Sequence, residues 1–164
     1  RSYSVTGVQT CALPIYFADL VRTENISIDP AILAQAGTVI ARKQYKVLKQ
    51  RGYDGLMLGG GARHLGHFTE FVGGDMHVTI NWSTAAELIA KDPPAENRID
   101  LPAPKEVVRE LSAKLPGFRR AYEDDGMDLG EFADFGPVML FKTMFLNGYI
   151  RLLDEVIDRR ARVK

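Results

Sequence analysis

Residues 53–88, YDGLMLGGGARHLGHFTEFVGGDMHVTINWSTAAEL, alternate between short apolar runs and glycine turns. Leu56, Met57 and Leu58 form a run that stops at Gly59-Gly60-Gly61. A run this short, bounded by glycines, predicts a strand buried on both faces. Arg63 follows at the point where the next helix is expected to begin. Gly73-Gly74 are expected to end that helix, because glycine accepts the positive φ that a C-terminal cap requires. Met76 to Asn81 reads as the next strand, with Met76, Val78 and Ile80 alternating against His77, Thr79 and Asn81. Thr84-Ala85-Ala86-Glu87 has the form of a capping box for a further helix. Strand, helix, strand is a βαβ unit, which implies parallel pairing and a right-handed crossover.

Gly59 to Arg63 supports two readings. One is a phosphate seat. Glycines let the backbone approach an oxyanion, the first N–H groups of a following helix point at it, and an arginine adds a two-pronged donor. The other is a tight strand-to-helix turn with a solvated arginine. Asn81, at the end of the second strand, is open between substrate contact and a helix cap. His64 and His67 lie three residues apart on the expected helix with no third ligand nearby, so they are assigned to neighbours or solvent and not to a metal. His77 is expected in a core or lining a barrel, and Trp82 in packing. Asp124-Asp125 reads as a turn.

Outward from this unit, Tyr16 to Val21 is weakly strand-like. Asp29-Pro30 is a helix start, with aspartate as N-cap and proline in the first turn. One helix is expected from Pro30 to about Gln50, with Ile32, Leu33, Ala36, Val39, Ile40, Val47 and Leu48 as its buried stripe. Arg42, Lys43, Lys46 and Lys49 lie toward its C-terminal half, where cations suit the dipole. Gly52 closes it. After the βαβ unit come a proline-containing connection (92–104), a helix from Lys105 to Leu115 and a break at Pro116-Gly117. Two short helical pieces come next, over 118–123 and 128–135. Gly136-Pro137 then opens a long final helix reaching about Arg160, with Val138, Phe141, Phe145, Leu152 and Val156 on one face.

The first fifteen residues, RSYSVTGVQTCALPI, are polar and aperiodic and resemble a translated sequencing adapter. They lack the basic start and apolar core of a signal peptide. They are therefore set apart, and residues 16–164 are read as part of one domain. The chain has 164 residues, with 21 basic and 21 acidic. That balance argues against nucleic-acid or membrane-surface binding, which needs a basic excess. The single cysteine, Cys11, rules out an internal disulfide framework and offers no zinc cluster. The cytoplasm is the default compartment, and no cofactor or metal is implied. The tally is α/β. Two clear strands and a weaker third make a poor stand-alone sheet, so the pattern suits the closing part of something larger.

The order of these pieces resembles the C-terminal part of the transaldolase family, whose members are TIM (β/α)8 barrels. The resemblance covers about Tyr16 to Arg160. It rests on the basic, tyrosine-bearing helix RKQYKVLKQRGYDG (42–55), the turn GGGARHLG (59–66), the pair Gly74-Asp75, the Thr79-Ile80 strand core and the closing segment FRRAYEDDGMDLGEFADFGPVMLFKTMFLNGYIRLL (118–153). It implies barrel strands from about the sixth to the eighth with their closing helices, incomplete alone, since such a barrel needs about 250 residues. It also implies a sugar-phosphate substrate, held by Gly59, Gly60, Gly61 and Arg63 in the loop after strand seven. The family often has a serine where Gly61 stands, so one hydroxyl donor is missing here. The implied reaction belongs to the pentose phosphate pathway. A lysine Schiff base passes a three-carbon ketol unit between sugar phosphates. That lysine is expected upstream of Tyr16, leaving no catalytic residue in this chain, and a homodimer is in keeping with the full-length protein. A related Schiff-base aldolase and a non-catalytic phosphate-binding module are the alternatives.

Overall fold

The computed structural model describes residues 5–60, 62 and 64–163, with side chains from Leu13 onward; Gly61 and Arg63 lie outside the described residues. The chain is a mixed α/β structure, mostly helical, with one small parallel sheet. Helix α1 spans Val5–Thr23, α2 Pro30–Leu33 and α3 Ala36–Gln50. Strand β1 (Met57–Gly59), the single turn α4 (Gly66–Thr69), β2 (Met76–Val78) and α5 (Trp82–Lys91) come next. Then α6 (Lys105–Lys114), α7 (Pro116–Tyr122), a 3-10 turn at Leu129–Phe132 and α8 (Gly136–Arg162) complete the chain. No helix of the described residues is long and apolar enough to cross a membrane.

The strands pair in parallel, Met57 beside Met76 and Gly59 beside Val78, as the βαβ pattern requires. Residues 16–21, read above as strand-like, are helical instead. Leu13, Phe17, Leu20 and Val21 recur at helical spacing, and Leu13 and Phe17 are fully buried. The helix expected from Pro30 to Gln50 is broken at Ala34-Gln35. Its start is as expected, with the Asp29 carboxylate accepting from Ala31 N at 2.8 Å. Gly52, at φ +64°, and Gly73, at φ +88°, occupy the left-handed region that ends a helix or turn.

Two apolar clusters hold the fold. The larger is helical: Phe17 of α1, Val39 and Ile40 of α3, Leu111 of α6, and Phe118 of α7 pack together with Phe135. The smaller joins Ala41 of α3 to Met57 of β1, Phe71 and Ile99, with Met76 and Val78 against it. Between them runs an ion network. Arg42, read as one of the cations that suit the helix dipole, is only 5% exposed. Its guanidinium donates to the Glu70 carboxylate at 3.0 Å and to the Leu101 carbonyl. Arg98 donates to the other Glu70 oxygen at 2.9 Å.

Helix α3 also fixes the turn before β2. The Tyr45 hydroxyl accepts from Asp75 N at 3.0 Å, and Lys49 pairs with the Asp75 carboxylate at 2.9 Å. That hydrogen bond raises the Lys49 pKa above its ordinary value. On α3's other flank, Lys43 pairs with Asp124 at 2.6 Å and lies over the Tyr122 ring. The hydrogen bond from Lys43 holds the Asp124 carboxyl below the usual carboxylate range.

Candidate functional site

The C-terminal ends of β1 and β2 form a shared rim. Thr79 N donates to the Gly59 carbonyl at 2.9 Å, and the Thr79 hydroxyl donates to the same oxygen at 3.2 Å. In return, Ala62 N donates to the Thr79 carbonyl at 3.1 Å. The glycine loop after β1 is thereby stitched to the first residue beyond β2. Gly59 and Gly60 are at this rim; Gly61 and Arg63 bracket Ala62 in sequence but lie outside the described residues.

A cleft of about 20 Å³ opens beside the rim, lined by Gly59, Gly60, Ala62 and His67 with Phe71, Val78, Pro14, Gly37 and Ala41. That is room on the order of one water. Most of the lining is apolar; the polar features are the glycine backbone and the His67 imidazole. His67 is buried, and its ring is tilted against that of His64 with centroids 3.8 Å apart. The His64 ring nitrogen lies 3.3 Å from the Ala34 carbonyl oxygen. Among the described residues no group of three or more His, Cys, Asp or Glu could hold a metal ion.

Three features of this region depart from the sequence reading. The helix expected at Arg63 starts at Gly66 and lasts one turn. The stretch Ala62 to Leu65 holds no Ser, Thr, Asp or Asn to cap it, and the helix ends at Thr69 with Glu70 as its C-cap, ahead of the expected Gly73-Gly74. A single turn aligns too few peptide dipoles to add much field at its own N-terminus. His77, expected in a core or lining a barrel, is outside both apolar clusters and exposed, because Met76 and Val78 take the face of β2 that meets the smaller cluster. Trp82, expected in packing, is 81% exposed.

Pro14 and Gly37 line the cleft unforeseen. A Cβ at Gly37 would come within 2.9 Å of the Pro14 ring, so this close approach of α1 to α3 needs a glycine. The signal in the sequence was the small pair Gly37 and Ala41, four apart on α3.

Asn81 is the N-cap of α5. Its side-chain oxygen accepts from Thr84 N at 2.8 Å and from the Ser83 hydroxyl at 2.8 Å. Thr84, read as the start of a capping box, is already inside that helix. Losing the cap costs about 1 kcal/mol. Asn81→Ala is therefore expected to lower the melting temperature by roughly 3 °C, while Asn81→Asp, which keeps the acceptor, leaves it nearly unchanged. Equal melting temperatures for the wild type and Asn81→Ala, measured by circular dichroism, would release Asn81 from the capping role.

Comparison with protein-family models, curated proteins and solved structures gives no match for this chain.

Proposed function

We propose that this chain is the phosphate-gripping part of a transaldolase-like enzyme of sugar-phosphate metabolism, one that moves a three-carbon ketol unit between sugar phosphates. The reading is carried by the rim. Strands β1 and β2 are adjacent and parallel, and the Gly59-Gly60 loop is hydrogen-bonded to Thr79 just beyond β2. Phosphate sites of TIM barrels are built in the loops after their last two strands.

A second observation supports it. Parallel sheets are normally covered on both faces. Here one face meets α3, while Leu56 and Leu58 on the other are 49% and 55% exposed. In the proposed barrel that bare face looks inward and further strands continue the sheet. Every lysine among the described residues lies on a helix. The Schiff-base amine is therefore assigned to another part of the barrel, and this chain holds and orients the substrate without breaking its carbon–carbon bond. Arg63 and the loop N–H groups neutralise the phosphate, so the carbonyl end is presented to the amine. Pro14, from the segment read as adapter-derived, contributes to the cleft wall.

The test is Arg63→Ala in an enzyme carrying the whole barrel. A charge-assisted contact to phosphate is worth about 1.5–3 kcal/mol. KM for a sugar phosphate is expected to rise about tenfold or more, with little change for an unphosphorylated sugar. An unchanged KM for the sugar phosphate removes Arg63 from the site and, with it, the phosphate reading of the glycine loop.

A further inference from the structure

Helix α8 is 27 residues long, but only its first turns are packed. Pro137 is buried and Val138 joins the helical cluster, whereas every described residue from Lys142 onward is exposed. The arm from Lys142 to Arg162 extends about 30 Å. Helices in proteins owe most of their stability to packing of an apolar face. Such a face is present. Phe145, Tyr149, Leu153, Val156 and their neighbours Leu146, Ile150, Leu152 and Ile157 are 43–65% exposed. At 3.6 residues per turn these eight cover an arc of about 160°, with no polar residue inside it between Phe145 and Ile157. Asp154, Glu155 and Asp158 lie on the opposite side.

The apolar pattern is symmetric about Arg151. Reversing the chain there exchanges Phe145 with Ile157, Leu146 with Val156, Tyr149 with Leu153, and Ile150 with Leu152. Each of these eight positions lands on another of the eight, while Met144, outside the stripe, comes level with Asp158. A two-fold antiparallel pair imposes this condition, because residues equidistant from the axis come to the same level along the seam.

We infer that the α8 arm is a self-complementary docking surface whose occupant is the α8 arm of a second copy of this chain, antiparallel and centred on Arg151. The area suffices. A large side chain has roughly 150–200 Å² of surface, so eight half-exposed ones bury on the order of 650 Å² per protomer. The pair buries about 1,300 Å², inside the range of stable interfaces. Lys142 and Arg160 lie on the seam line at either end of the stripe. The antiparallel pair brings Lys142 level with Arg160 of the second copy, twice. These are exposed like charges, which salt screens, so they tune the pairing without preventing it. A membrane surface would not require the two-fold apolar pattern about Arg151, whereas a second copy of the arm does.

Sedimentation equilibrium of the whole chain over a concentration series tests this. The expected result is a discrete dimer, micromolar or tighter, that strengthens with added salt. Leu153→Asp, placed near the axis and therefore present twice, weakens it about 100-fold or more and lowers the helical circular dichroism as the arm frays. Lys142→Glu converts both end contacts to attractions and tightens the dimer several-fold at low salt, and so does Arg160→Glu. The double charge reversal returns it to the original affinity. A chain that stays monomeric throughout overturns the proposal. Open-ended aggregates indifferent to Leu153→Asp overturn it too, because they assemble through the sheet. A dimer that Leu153→Asp disrupts but neither charge reversal tightens overturns the antiparallel arrangement.

Discussion

Glu70→Gln is expected to destabilise the fold by about 3 kcal/mol, the low end of what breaking a buried ion pair costs. Glu70 stands at the end of α4 and is held from two sides, by Arg42 at 3.0 Å and by Arg98 at 2.7 Å. Arg42 has almost no access to water, so removing the negative charge leaves a buried guanidinium with only a neutral amide and the Leu101 carbonyl as acceptors. Glu70 and Arg98 are partly exposed, with side chains 24% and 40% accessible, and water relieves some of the loss. Against a total stability of roughly 5–15 kcal/mol, the change is large. Urea unfolding should move to a lower midpoint with an unchanged slope. Arg42→Met combined with Glu70→Gln should cost less than the two single losses added together, since both remove one interaction. A loss below about 1 kcal/mol for Glu70→Gln would mean that the network behaves as a surface salt bridge.

That network also marks what the sequence could not disclose. Arg42 is one of four cations on α3, and nothing nearby distinguishes it from Lys43, Lys46 and Lys49. Its partner stands 28 residues away, beyond any local pattern. Local chemistry, by contrast, was legible. Asp29-Pro30 caps α2, Gly73 has the positive φ its position demanded, and β1 and β2 pair in parallel. The misreading of residues 16–21 as strand has a traceable cause. Setting the first fifteen residues apart cut a helical stripe in two, leaving Phe17, Leu20 and Val21 without Leu13. At the rim, the glycines and the strand register could be read, and the missing cap residue before α4 was a local signal of its shortness, but the approach of Pro14 could not be read, because it depends on how α1 and α3 pack.

Phe118→Ala should cost about 3–5 kcal/mol, and it asks whether the two apolar clusters unfold as one. Phe118 is fully buried in the helical cluster, tilted against Phe17 at 6.3 Å and stacked on Tyr122 at 5.6 Å. Deleting the ring opens a cavity lined by side chains from α1, α6 and α7, and these cannot all collapse inward without dragging their helices. Phe118→Leu keeps most of the volume and should cost clearly less, which separates cavity from general disturbance. The sheet cluster, with Met57 and Phe71, shares no buried residue with the helical one and is joined to it through α3, where Ile40 and Ala41 are neighbours facing different clusters. If α3 transmits the loss, amide exchange at β1 and β2 should shift to the same lower midpoint as the helical signal. If the sheet instead melts first and separately in the unaltered chain, its bare face and two strands are too little to stand without further strands against them. In that case Phe118→Ala lowers only the helical transition.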